Sequence, residues 1–138
     1  MTPQSLIDQL ELEPHPEGGW FRETWRGNEQ PRATGSAIYF LLEAHQSSHW
    51  HVVDAVEIWH WYAGSALELY VLDNGVTRIE RIGNDFGAGQ RPQGIVPAHA
   101  WQKAEPVGGW VLVGCTVSPG FEFDGFKLAE VGWSPTGG

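Results

Sequence analysis

The chain has 138 residues, 41% of them hydrophobic, with eight Trp, six Phe, three Tyr and 18 Gly, which is enough apolar material for one domain with its own core. Seventeen acidic residues against eight basic ones give a formal charge of -9, and no segment gathers Lys or Arg into a stripe, which argues against a nucleic-acid partner. No apolar run is long enough to cross a bilayer, the first residues lack the basic and apolar regions of a leader, and a lone Cys115 leaves no internal disulfide and no multi-cysteine zinc site. A cytoplasmic protein without a membrane partner is the expectation, with Cys115 buried in the apolar run VLVGCTV.

Thr2 and Pro3 suit a helix cap and a first-turn proline, and Leu6, Ile7 and Leu10 follow at near-helical spacing, so one short helix is predicted within residues 1–13. Pro14-His15-Pro16 ends it. Across residues 14–133 aromatic and β-branched residues recur between turn signals, predicting strands at 20–26, 37–42, 49–53, 56–62, 67–72, 76–82, 94–96, 101–104 and 110–117, and a C-terminal stretch at 121–131. Asp73-Asn74-Gly75 is the clearest turn, because Asn-Gly accepts the positive φ angles of a type I′ hairpin. Asp54-Ala55, Gly64-Ser65 and Gly108-Gly109 read as further tight reversals, residues 83–92 as a surface loop near a cavity mouth, and residues 134–138 as a tail. Such a count of short strands predicts an all-β barrel or sandwich in a single domain.

In His49-Trp50-His51 two imidazoles lie at i and i+2, and on a regular strand both project from one face. A turn at Asp54-Ala55 with an antiparallel return brings Glu57 beside them. Two imidazoles and a carboxylate suit zinc, iron, nickel or manganese, and they serve equally as acid–base groups without a metal. Strict alternation sets Glu57, Trp59 and Trp61 on one face, a flat wall for a sugar ring or an aromatic ligand, and His60 on the other. Arg22 and Arg26 share a face of the first strand with Trp20 and Thr24 and suit a carboxylate or phosphate. His15 and Glu17 sit in a Pro- and Gly-rich bend, and Tyr39 alternates with Ala37 and Leu41.

This pattern resembles the cupins. Their first motif is His-x-His, then a Glu, then six residues and a Gly. His49, His51, Glu57 and Gly64 follow that order, with one extra residue before Glu57 that a bulge would absorb. Their second motif, Pro-x-Gly-x-x-His, is similar to Pro97-Ala98-His99-Ala100-Trp101-Gln102, with Gln102 at the fourth ligand position and His99 in place of the Gly. A closer likeness, to an uncharacterised cupin subfamily described as predicted sugar epimerases, is carried by four segments. These are residues 14–19 (PHPEGG) with Thr24 and Arg26, residues 36–42 (SAIYFLL), residues 57–64 (EIWHWYAG) and residues 113–123 (VGCTVSPGFEF).

The resemblance implies a double-stranded β-helix, the jelly-roll cupin barrel, with a short N-terminal helix. It implies one divalent transition metal on His49, His51, Glu57 and Gln102, catalytic roles for His51, Glu57 and Tyr39 (or Tyr62 in place of Tyr39), and ligand contacts from His15, Glu17, Arg26, Trp59, Trp61 and His99. A homodimer is expected as well. Three functions stay open: an epimerase- or isomerase-like enzyme acting on a small polar ligand, a metal-dependent enzyme of oxygenase or isomerase type, and a non-catalytic small-molecule-binding module.

Overall fold

The computed structural model describes residues 1–135. Helix α1 spans Pro3–Leu10, and Thr2 starts it with a reciprocal cap in which its hydroxyl accepts from the Ser5 N–H and Ser5 Oγ accepts from the Thr2 N–H. Leu6 on this helix and Leu12 just after it pack on Leu41 and Leu112, so the helix covers part of a sheet's outer face.

Nine strands follow among the described residues: β1 Glu13–Pro14, β2 Trp20–Arg26, β3 Ser36–Leu42, β4 Ser48–Val53, β5 Val56–Asp73, β6 Val76–Ile82, β7 Gln93–Val96, β8 Trp101–Ser118 and β9 Phe126–Leu128. The two long strands organise the molecule. The half of β5 before Gly64 pairs with the C-terminal half of β8, and β3, β2 and β1 extend that sheet on one side while β7 closes the other. The half of β5 after Ala66 pairs with the N-terminal half of β8, flanked by β4 and β9 on one side and β6 on the other. Two antiparallel sheets that share bent strands make the jelly-roll barrel.

The bend lies where the β5–β8 register slips, between Trp61 and Ala63 and again between Gly64 and Ala66. Gly64 has φ 92°, and a Cβ there would strike the Trp110 carbonyl oxygen, so only glycine passes this corner. Gly64-Ser65 and Gly108-Gly109 are therefore bulged corners inside continuous strands. The predicted pairs 56–62 with 67–72 and 101–104 with 110–117 are single strands that cross from one sheet to the other. The Asn74-Gly75 hairpin forms as predicted, with φ 52° and 77° and Asp73 opposite Val76. The C-terminal stretch yields only a short 3-10 turn, Phe123–Gly125, and β9 on β4. The loop at 83–92 borders an outer groove beside β6 and β7, away from the interior cavity. Residues 136–138 of the expected tail lie outside the described residues.

Between the sheets Phe40, Leu42, Trp59, Leu67, Leu69, Val71 and Val111 have no exposed surface. At about 1.5–3 kcal/mol per fully buried large side chain, this layer is the main stabilising term.

Candidate functional site

The sheets diverge away from the Gly64 corner, and at the open end they leave a cavity of about 70 Å³. That is room for a few water molecules, well below the roughly 300–1,000 Å³ typical of sites for drug-sized ligands. Its walls are mostly apolar, including Phe21, Ile38, Val53, Val117, Phe121 and Phe123. Glu17, His51, Glu57 and Cys115 are the buried groups that bring chemistry to it.

Glu17 enters through the bend that follows α1. The His15 N–H donates to Gly19 O, the Gly18 N–H to His15 O, and the Glu17 N–H to His15 Nδ1 at 3.1 Å. Gly18, at φ 109°, passes so close to Ser47 O that a side chain would not fit. The bend is thereby pressed into the barrel mouth, and the His49 N–H donates to Glu17 O. Burial lowers the His15 ring to about 4, with the His51 ring nearby acting in the same direction.

His51 Nδ1 lies 2.7 Å from the His49 carbonyl oxygen. A carbonyl only accepts, so Nδ1 carries the proton and Nε2 of the neutral ring is an acceptor. Nε2 lies 3.0 Å from Glu17 Oε2, a contact that needs one proton between its atoms. Burial pushes Glu17 up to about 8 and pulls His51 down, which favours the neutral pair with the Glu17 O–H donating to Nε2.

Glu57 comes from the other sheet. Trp59 Nε1 is only a donor, and it meets Gln102 Oε1 at 2.9 Å, which leaves Gln102 Nε2 to donate to Glu57 Oε1 at 2.9 Å. Burial pushes Glu57 up to about 7, against the opposing pull of His51, Gln102 and the Cys115 thiol and with a further push from Glu17. Burial also holds the Cys115 thiol well above its ordinary range, so it is a hydrogen-bonding wall group and no thiolate nucleophile.

Several expected positions are corrected by two bulges. In β4 the register slips between Ser48 and His51, so Ser48 and His51 are both buried while His49 Nε2 turns to the Glu130 carbonyl at 2.9 Å. The two histidines do not share a face. In β2 the register slips between Glu23 and Trp25, so Glu23 and Arg26 line the cavity while Arg22 pairs with Glu11 outside it. Arg26 is held bidentately by Glu23, at 3.0 and 2.7 Å. The Asp54-Ala55 turn makes no hairpin either. It carries the chain from one sheet to the other, and Glu57 faces His51 across the barrel.

Both ends of the Gln102 amide are committed and His49 points elsewhere, so the set His49, His51, Glu57 and Gln102 does not fit a metal ion. Among the described residues no group of three or more His, Cys, Asp or Glu side chains is arranged to hold one.

Tyr39 lies on the outer face among the residues under α1, edge-on to Tyr62, because its neighbours Ile38 and Phe40 are the ones that face inward. Trp59 is core, and half-buried Trp61 donates to Ser65 O; neither lines the cavity. His99 sits exposed in a turn, at φ 70°. His60 faces outward onto Thr116 Oγ1. His15, Glu17, His51, Glu57 and Arg26 are the expected residues that the fold does gather. Phe121, Phe123, Ser36 and Cys115 join them without being expected at the site from the sequence. Alternation with Val113 and Val117 could have found Cys115, whereas nothing in the sequence marks the two phenylalanines as cavity walls.

The model of a family described as Cupin superfamily (DUF985) matches residues 4–129. Among solved structures the chain is similar to a hypothetical protein from Leishmania major, with 30% identity, a TM-score of 0.88 and coverage of 94% of this chain and 88% of that one. It is also similar to a protein from Shewanella oneidensis, with 38% identity, a TM-score of 0.90 and coverage of 94% and 85%. An oxalate decarboxylase variant from Bacillus subtilis shares the fold at 12% identity and a TM-score of 0.67, over 84% of this chain and 29% of its own. No curated protein matches.

Proposed function

We propose, for a chain that belongs to the DUF985 family of the cupin superfamily, that the cavity binds a small polar ligand and moves a proton on it, in the manner of an epimerase or isomerase that uses no metal. The observation that supports this most is the buried Glu17–His51 pair, 3.0 Å apart on one side of the cavity, with Glu57 on the other. A ligand between them has a proton acceptor on one face and a proton donor on the opposite face, which is what inversion at a carbon next to a carbonyl requires. Glu57, at about 7, exists in both forms near neutral pH and suits the role of base. Glu17 and His51 hold one proton between them that can be returned from the far side. The mostly apolar walls leave a bound ligand space for few competing waters.

A thermal-shift screen of sugars, sugar nucleotides and 2-oxo acids, followed by incubation of each hit in D2O, tests the proposal. The expected result is deuterium entering the ligand at the carbon next to its carbonyl, slowed about 100-fold or more in Glu57→Gln while binding persists. A ligand that binds but never exchanges would favour a binding module instead. Should His51→Ala leave the binding of every hit unchanged, the cavity itself is not the site.

A further inference from the structure

We infer that Arg32 is a positioning residue that clamps an aromatic flap, residues 120–125, over the cavity mouth and thereby limits the size of molecule that reaches Glu57 and His51. The inference rests on the reading of the cavity as a ligand site, but its evidence is separate. Arg32 sits in the loop between β2 and β3, far in sequence from every group it touches. Its Nε–H donates to Gly120 O at 2.9 Å, at the start of the flap. Its two terminal nitrogens form a bidentate pair with Asp54, at 3.0 and 2.8 Å. The Asp54 N–H in turn donates to Gly125 O at 3.1 Å, at the end of the flap. The guanidinium thus holds the first end of the segment directly and fixes the Asp54 that holds the last, and Glu122 within it lies 3.4 Å from the same Nε.

The ends leave no slack. A Cβ on Gly120 would crowd Ala33 and Gly35 O, and one on Gly125 would strike the Asp54 carboxylate. The Gly120 N–H donates to Ala33 O and the Phe121 N–H to Ser36 Oγ. Held this way, Phe121 and Phe123 become cavity walls, ring centroids 5.0 Å apart and edge-to-face. Phe123 is nevertheless 58% exposed, so one side of a large apolar ring faces water while the other lines the cavity. That is the position of a cover, not of a core residue. The Arg32–Asp54 pair is under one-third exposed and bidentate, the geometry in which an ion pair fixes a conformation best.

Cys115 is the chain's single cysteine and lines the cavity beneath this cover, so the rate of its modification, slow in the wild type because burial disfavours the thiolate, reports access when two reagents of different size are compared. Its rate is measured in the full-length protein with methyl methanethiosulfonate, which is small, and with N-ethylmaleimide, which is bulky. Core amide hydrogen exchange is followed in the same samples. The expected result is that Arg32→Ala speeds the N-ethylmaleimide reaction at least tenfold, speeds the small reagent much less, and leaves exchange in β5 and β8 unchanged. Arg32→Lys, which keeps charge but loses the bidentate fork, falls between the two. Phe123→Ala, which leaves the clamp intact, also favours the bulky reagent. Equal acceleration of both reagents together with faster core exchange would mean general loosening and would overturn the inference, as would unchanged rates in Arg32→Ala and Phe123→Ala. Failure of the proton-transfer reading leaves these rates untouched, since Cys115 reports entry and not turnover.

Discussion

The corner end and the open end of the barrel are built from the same two strands, yet they carry opposite chemistry. Near Gly64, β5 and β8 contribute Leu67, Leu69, Val111 and Val113, all without exposed surface. Further along, the same strands contribute Glu57 and Cys115 to a cavity with two buried carboxyl groups and a buried imidazole, and Gln102 holds Glu57 from behind. The corner holds the sheets together, so side chains there interdigitate. Where the sheets diverge a gap remains, and Glu17, His51 and Glu57 persist there because each has a hydrogen-bonding partner. Trp59 marks the border: its ring packs edge-on against Phe40, 5.8 Å between centroids, and its Nε1 starts the hydrogen-bond chain through Gln102 to Glu57. Stability and chemistry are thus separated along one pair of strands.

Leu67→Ala tests the corner end, where a fully buried leucine predicts a loss of about 2–5 kcal/mol in denaturant unfolding. A loss under about 1 kcal/mol would show that the corner is not the stability centre and would erase the contrast. Gln102→Leu tests the border. It leaves Trp59 Nε1 without an acceptor and Glu57 without a donor, predicting a loss of about 1–3 kcal/mol. Because the Gln102 N–H favours the ionised carboxylate, Glu57 should also titrate higher than in the wild type, as followed by carboxyl-carbon NMR. A stability loss with Glu57 unmoved would make Gln102 part of the packed end alone.

The all-β character, the N-terminal helix and the hairpin at Asn74-Gly75 were legible because each depends on neighbours in sequence: a cap, a periodicity, a turn dipeptide. What misled was strict alternation. One extra residue in β4 turns His49 away from His51, and one in β2 separates Arg26 from Arg22. A bulge of this kind leaves no mark in composition, since its cause is the register with a distant partner strand. The Gly64 and Gly108 corners read as reversals for a related reason: glycine marks a positive φ but not whether the chain turns back or crosses to another sheet. Glu17 stands out in the bend at 14–19, but its partnership with His51 is tertiary and invisible to spacing. Arg32, joined to residues far along the chain, had no local signal at all.

The finest test of the two ends is their response to pH. In the folded protein Glu17 is raised from 4.5 to about 8 and Glu57 to about 7, so the native state keeps protons that the unfolded chain has released. The stability tied to them is fully present below 4.5 and is lost as pH rises through 7 and 8. His15 acts in the opposite sense. Lowered from 6.5 to about 4, it stabilises fully above 6.5, and that contribution is lost as pH falls toward 4; His51, also lowered, works in the same direction. The two effects oppose each other between 4.5 and 6.5, and only the carboxyl groups act above 6.5. The thermal midpoint should therefore decline from pH 6.5 to 8, as the free energy of unfolding falls by up to about 1.4 kcal/mol per pH unit for each carboxyl group. Glu17→Gln retains an N–H donor for His51 Nε2 but cannot ionise, so it should flatten the decline. Leu67→Ala should lower the whole curve and leave its slope alone, because Glu17 and Glu57, the carboxyl groups raised by burial, lie at the other end. A Glu17→Gln protein that kept the wild-type slope, or a Leu67→Ala protein that changed it, would place the pH response outside the open end and break the division between the two.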